Sequence, residues 1–81
     1  MSVRLFIKPG CPWCDDAIDW LSARGIKHET LDVTRDPAAR REMHDLTGQT
    51  KAPSSEVDGK VLADFGADEL EAWWKKKGFG A

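Results

Sequence analysis

Lys8-Pro9-Gly10-Cys11-Pro12-Trp13-Cys14 holds both cysteines of the chain, and the fold is read outward from it. Upstream, Val3-Arg4-Leu5-Phe6-Ile7 is short and rich in β-branched and large apolar residues, the composition of a strand. Downstream, Cys14, Ala17, Ile18 and Leu21 recur at i, i+3, i+4 and i+7, one face of a helix. Pro9 and Gly10 break the strand. Pro12 then falls at the first helical position, where its missing N–H and fixed φ are harmless. The stretch is a strand-to-helix turn, with Cys11 as the helix cap and Cys14 one turn in, so that the two sulfurs can meet.

A thiol at a helix N-terminus faces unpaired N–H groups and the positive end of the helix dipole, both of which favour thiolate. Lys8 adds a positive charge nearby. Asp15, four residues from Cys11 and expected on the same side of the helix, and Asp16 after it oppose the effect, in part only where solvent screens them. The thiolate is the nucleophile of disulfide exchange, so the turn reads as redox chemistry. Three other readings are weaker. A structural disulfide closing so short a loop removes little unfolded-state entropy. Half of a zinc site needs two more ligands, and His28 and His44 stand sixteen positions apart, not the three to five usual for a His pair. Two inert buried thiols are disfavoured because Cys11 precedes the first buried turn.

The bulk properties set the frame. With 81 residues, a single domain spanning 1–81 is expected, with a modest core that buries about three-fifths of the unfolded surface. A chain 41% hydrophobic and 32% charged is too apolar for disorder. The net charge is −2 with Lys and Arg scattered, which argues against nucleic acid or an anionic membrane as partner. The sequence enters a strand pattern at once and contains no apolar run of membrane length. The expected setting is the cytoplasm, where a Cys-x-x-Cys beside a βαβ pattern is more often redox-active than structural.

Along the chain, the first helix is predicted over Pro12–Arg24 and stopped by Gly25. Trp20 on its flank is read as packing, and Trp13, between the cysteines, as a neighbour of any substrate. Ile26 to Val33 reads as the second strand, with His28 an edge or surface residue. Asp36-Pro37 caps and starts a second helix whose stripe is Ala39, Met43 and Leu46 and whose stop is Gly48. After the loop Gln49–Pro53, Ser54 to Val57 is expected as a short, imperfect third strand whose inward serines need hydrogen-bond partners. Asp58-Gly59 is a two-residue hairpin turn leading to a fourth strand at Val61–Ala63. Gly66 or Asp64 caps a last helix over Ala67–Lys77, with Asp68 and Glu69 in its first turn and Lys75, Lys76 and Lys77 in its last. The order is βαβαββα: an α/β domain with a four-stranded mixed sheet and helices on both faces.

These residues resemble the glutaredoxin family of the thioredoxin fold. Residues 8–14 are close to that family's active-site stretch, which usually has Tyr where Trp13 stands. Ala52-Pro53 aligns with its Thr-Val-Pro, whose proline is cis and faces the cysteines, and Asp68-Glu69-Leu70 with its acidic pair. The resemblance implies a thiol–disulfide oxidoreductase with Cys11 as nucleophile and Cys14 as resolving thiol. It also implies no tightly bound cofactor and no metal, with glutathione as co-substrate. Lys8 and Trp13 would contact glutathione, the backbone of Ala52 before Pro53 would pair with it, and Ala67 and Asp68 would hold its γ-glutamyl end. The implied partners are a disulfide-containing or glutathionylated protein and, for a monomer, glutathione as electron source. Lys51 departs from the family, as does Ala63-Asp64-Phe65-Gly66 where the family has Gly-Gly. The Phe65-Gly66 region is also similar to the ribonucleotide-reductase-linked redoxins, which implies thioredoxin reductase as an alternative electron source. A thiolate metal or Fe–S module is the reading from another class.

Overall fold

The computed structural model describes residues 1–80. Seven elements follow in the expected order: β1 (Val3–Ile7), α1 (Pro12–Ala23), β2 (Glu29–Asp32), α2 (Pro37–Thr47), β3 (Ser54–Val57), β4 (Lys60–Ala63) and α3 (Ala67–Lys77). The sheet order is β2-β1-β3-β4. β1 is parallel to β2 and antiparallel to β3, and β3 is antiparallel to β4. The sheet is therefore mixed, as read from the sequence.

Alternation along the central strands divides the interior. Val3 and Leu5 of β1 and Val57 of β3 pack with Ala17 and Leu21 of α1 and Leu70 and Trp74 of α3. Phe6 of β1 points the other way, to Val33 and to Ala39 and Met43 of α2. One face thus carries α1 and α3, and the other carries α2. Around the first face, Trp20, Trp73, Trp74 and Phe79 form a chain of edge-to-face ring pairs with centroids 5.1–6.5 Å apart. Trp20 is thus packing, as expected.

The helix ends follow local chemistry. The Asp36 carboxylate accepts from the amides of Ala38 and Ala39, with Pro37 at the first helical position. Gly48 closes α2 at φ 73°. α1 ends one residue earlier than predicted, with Arg24 as its cap. Beyond it, the Gly25 amide donates to Ser22 O and the Ile26 amide to Leu21 O at 3.0 Å, a Schellman closure. That closure corrects the second strand. Ile26 is spent on finishing α1, so β2 spans Glu29–Asp32 rather than Ile26–Val33. His28 lies just outside β2, an edge strand, and its ring Nδ1 is 3.0 Å from Ile26 O.

β3 is short and stands at the predicted bounds, and it is more regular than expected, with continuous partners on both sides, Phe6 to Val3 on one and Ala63 to Lys60 on the other. Ser54 Oγ donates to Lys51 O at 2.9 Å and accepts from Gln49 Nε2, as the expectation required. Ser55 Oγ is buried with no partner, so the expectation of satisfied inward serines holds for only one of the two. Glu56 sits half-buried in ion pairing with Arg4, which also forks onto Glu42 of α2 at 2.7 and 2.9 Å. At the hairpin, Asp58 and Gly59 both have positive φ, 49° and 87°, as a two-residue turn of this hand requires. β4 begins one residue early, at Lys60.

Candidate active site

The turn between β1 and α1 places the two thiols. Cys11 is the N-cap of α1: its backbone is extended, and its Sγ accepts from the Cys14 amide at 3.3 Å. This sulfur therefore satisfies one of the helix's open N–H groups. Pro12 follows at the first helical position. Cys14, on the same helix face as Ala17 and Leu21, is 1% exposed, whereas Cys11 is partly open to solvent. Both are free thiols.

Burial pushes the Cys14 thiol up to about 12, and its hydrogen bond to Cys11 adds to the effect; the Lys8 backbone amide pulls the other way. The charges of Cys11 and Asp15 raise it further. The Asp15 carboxylate, expected to act on Cys11, thus acts on the inner thiol. The Lys8 side chain is half-buried.

Opposite the turn, the Ala52–Pro53 peptide is cis, as the resemblance implied, and Pro53 is buried. The Cys11 thiol lies 4.0 Å from the carbonyl oxygen of Ala52. Beside it opens a cleft of about 210 Å³ lined by Trp13, Ala52, Pro53, Asp64, Phe65, Gly66 and Glu69. Trp13 is 61% exposed and forms one rim. Gly66, the N-cap of α3, forms the other: a Cβ there would meet Trp13 Cδ1 at 3.6 Å and Glu69 Oε2 at 3.1 Å. Of the two caps expected for α3, Gly66 is the one used.

Cys11, Cys14, Trp13, Ala52 and Pro53 are therefore gathered at one end of the molecule. Ala67 and Asp68 are the first two residues of α3, but neither lines the cleft. The acid that does is Glu69, whose Oε2 accepts from the Gly66 amide at 3.2 Å. The signal for it was present in the sequence: a Glu three residues after the cap reaches back to the cap amide. A larger cavity, of about 410 Å³, lies among Trp20, Arg24, Trp74, Lys75, Gly78 and Gly80 at the far ends of α1 and α3, and is lined by neither thiol. Among the described residues no group of three or more His, Cys, Asp or Glu side chains is gathered as metal ligands, and no helix is long and apolar enough to cross a membrane.

This arrangement, an accessible cap thiol over a buried one beside a cis-proline loop, on this sheet, is that of a glutaredoxin-like thiol oxidoreductase. The chain belongs to the glutaredoxin family: the family's model, described as Glutaredoxin, matches residues 3–62. Glutaredoxin 3 of Escherichia coli strain K12 is 31% identical over 71 residues, covering 88% of this chain and 83% of that protein. An uncharacterized glutaredoxin-like 8.6 kDa protein in a rubredoxin operon of Clostridium pasteurianum is 28% identical over 69 residues, 85% of this chain and 92% of its own. Among solved structures, the thioredoxin-like protein BC3987 superposes with a TM-score of 0.80 at 27% identity, covering 88% of this chain and 97% of that one.

Proposed function

We propose that the protein is a dithiol oxidoreductase that reduces protein disulfides or glutathione mixed disulfides. Cys11, as thiolate, attacks one sulfur of the substrate disulfide. The substrate S–S bond breaks, a Cys11–substrate mixed disulfide forms, and the departing thiolate takes up a proton. Cys14 then loses its proton and attacks the Cys11 sulfur. The second substrate thiol leaves, and two electrons have passed from the dithiol to the substrate, leaving a Cys11–Cys14 disulfide. Two thiol equivalents from glutathione, or electrons from thioredoxin reductase, restore the dithiol.

The observation that carries this reading is the asymmetry of the two thiols. Cys14 is buried and held protonated, so it does not compete for the first attack. Part of what holds its proton is the hydrogen bond and charge of Cys11. Both vanish once Cys11 is in a mixed disulfide. The resolving thiol is thereby released for ionisation at the step that needs it.

Two experiments test this. In the first, the reduced protein and its Cys11→Ser and Cys14→Ser variants are mixed with a protein disulfide. Cys11→Ser should abolish reduction, and Cys14→Ser should accumulate a mixed disulfide visible by mass spectrometry. Equal activity of Cys11→Ser and the parent would sink the assignment. In the second, NADPH consumption is followed in parallel with glutathione plus its reductase and with thioredoxin reductase, which identifies the electron source.

A further inference from the structure

We infer that the cavity at the far ends of α1 and α3 is a binding site for a small aryl anion, a flat carboxylate or sulfonate received by two indoles and two cations. The inference does not rest on the oxidoreductase reading. The cavity has a volume of about 410 Å³, inside the range of roughly 300–1,000 Å³ typical of sites for small ligands. Trp20 of α1 and Trp74 of α3 form its apolar walls. Their rings are inclined at 62° with centroids 5.5 Å apart, so they present two differently oriented aromatic surfaces. Gly78 and Gly80 add backbone without side chains to the rim, and nothing lies within 4 Å of the place a Cβ would take at either.

The charged part of the lining is cationic. It consists of Arg24 and Lys75, with no carboxylate. The Arg24 guanidinium lies 3.9 Å from the Trp20 ring centroid. Its Nη1 donates to Trp20 O at 3.2 Å and its Nη2 to Glu71 Oε1 at 3.0 Å; these bonds hold the fork in place and leave further N–H groups for a ligand. Glu71 also stands 3.9 Å from Lys75 Nζ, too far for a hydrogen bond. One carboxylate thus answers two cations, and a positive charge is left over at the cavity. The carbonyls ending α3 oppose it in part only: those of Trp74 and Lys75 accept from the amides of Phe79 and Gly78, and Lys76 and Lys77 lie in the same turn. Trp20 Nε1 is a second sign. It is buried without an acceptor, whereas Trp74 Nε1 donates to Gly80 O. Among the described residues it is the only buried side-chain nitrogen left in that state. A carboxylate or sulfonate brings acceptor oxygens to the wall that lacks one. A cationic ligand would meet like charge there.

The test titrates the reduced, isotope-labelled full-length protein with 2-naphthoate and with its neutral isostere 2-naphthamide, and reads the indole N–H signals in proton–nitrogen correlation spectra. Naphthoate should move the Trp20 and Trp74 signals and leave that of Trp13 in place, with a dissociation constant on the order of 1 mM, the strength of a fragment-sized ligand. At low salt it should bind about fivefold more tightly than the amide, the scale of an exposed charge pair. The preference should collapse toward one in about 1 M salt, where the screening length is about 3 Å. Arg24→Gln and Lys75→Gln should each lower the preference about twofold; Lys75 is largely exposed, so its variant serves even if the loss of Arg24 loosens the fold. Glu71→Gln, which releases both cations, should raise the naphthoate affinity about twofold or more. If millimolar naphthoate leaves the Trp20 and Trp74 signals unmoved, if it moves Trp13 instead, if the amide binds equally well, or if Lys75→Gln and Glu71→Gln both leave the preference intact, the inference is overturned.

Discussion

The two faces of the sheet are built differently. The face under α1 and α3 buries nine residues in one apolar cluster, from Val3 and Leu5 through Leu21 to Leu70 and Trp74. The face under α2 buries only four: Phe6, Val33, Ala39 and Met43. What fastens α2 instead is Arg4, which emerges from the central strand, lies 5.5 Å from the Phe6 ring centroid, and forks onto Glu42 of α2 and Glu56 of β3. A domain this small cannot fill two thick layers. It spends its apolar residues on the face that carries the thiols and holds the other by charge. The two faces should therefore fail under different conditions.

The largest expected effect is on the apolar face. Leu21→Ala, at a fully buried position, should cost about 2–5 kcal/mol, read from urea denaturation at neutral pH. A loss near zero would mean that α1 is not fastened to the sheet by this packing.

Next in size is Arg4→Leu, which strands the half-buried Glu56 and the Glu42 carboxylate. It should cost about 1–3 kcal/mol at pH 7. Arg4 holds the Glu42 carboxyl below its usual range. A lowered folded-state value gives stability that is present above the unfolded value and lost as pH falls through the folded one. The gap between parent and variant should thus narrow as pH drops below about 4.5, the ordinary glutamate value. A gap independent of pH would show that the arginine acts by packing alone.

The apolar face should instead weaken in alkali, through Cys14. Its thiol is held up at about 12, against 9.0 for a free one. Between those values the unfolded chain has lost the proton that the folded chain keeps, so stability falls as pH rises. Relative to Cys14→Ala, the parent should lose about 1 kcal/mol by pH 10. Parallel stability curves from pH 8 to 11 would contradict the burial of this thiol. The smallest effect has the opposite sign. Ser55→Ala removes a buried hydroxyl without a partner, and should raise stability by up to about 1 kcal/mol, read as a shift in thermal midpoint.

The parts of this molecule legible in the sequence are those decided by neighbouring residues. Asp36-Pro37, Gly48, Asp58-Gly59 and the Pro12 start of α1 fix caps and turns by their own stereochemistry, and each stands where it was read. The cysteine turn belongs to the same class. What was not legible depends on distant partners. The place of β3 was legible, but its regularity was not: Ser54 and Ser55 are poor strand formers, and the strands on both sides complete their ladders. Ile26 looked like the start of β2 because nothing local shows that its amide closes α1. The Arg4 fork joins residues 38 and 52 positions apart. At the site, periodicity could not say which acid of the first turn of α3 lines the cleft; it is Glu69.

The division of the tryptophans has an optical consequence. Trp20, Trp73 and Trp74 interlock through their ring edges and with Phe79, at the end of the molecule remote from the thiols. Such rigid, mutually tilted indoles give strong near-ultraviolet circular dichroism that disappears when the packing is lost. Trp13 alone stands largely in solvent, between the two cysteines. An aqueous quencher such as iodide or acrylamide therefore reaches its emission first, and any occupant of the cleft shields it. One unlabelled chain thus reports the integrity of its core in one spectral signal and the occupancy of its active end in another.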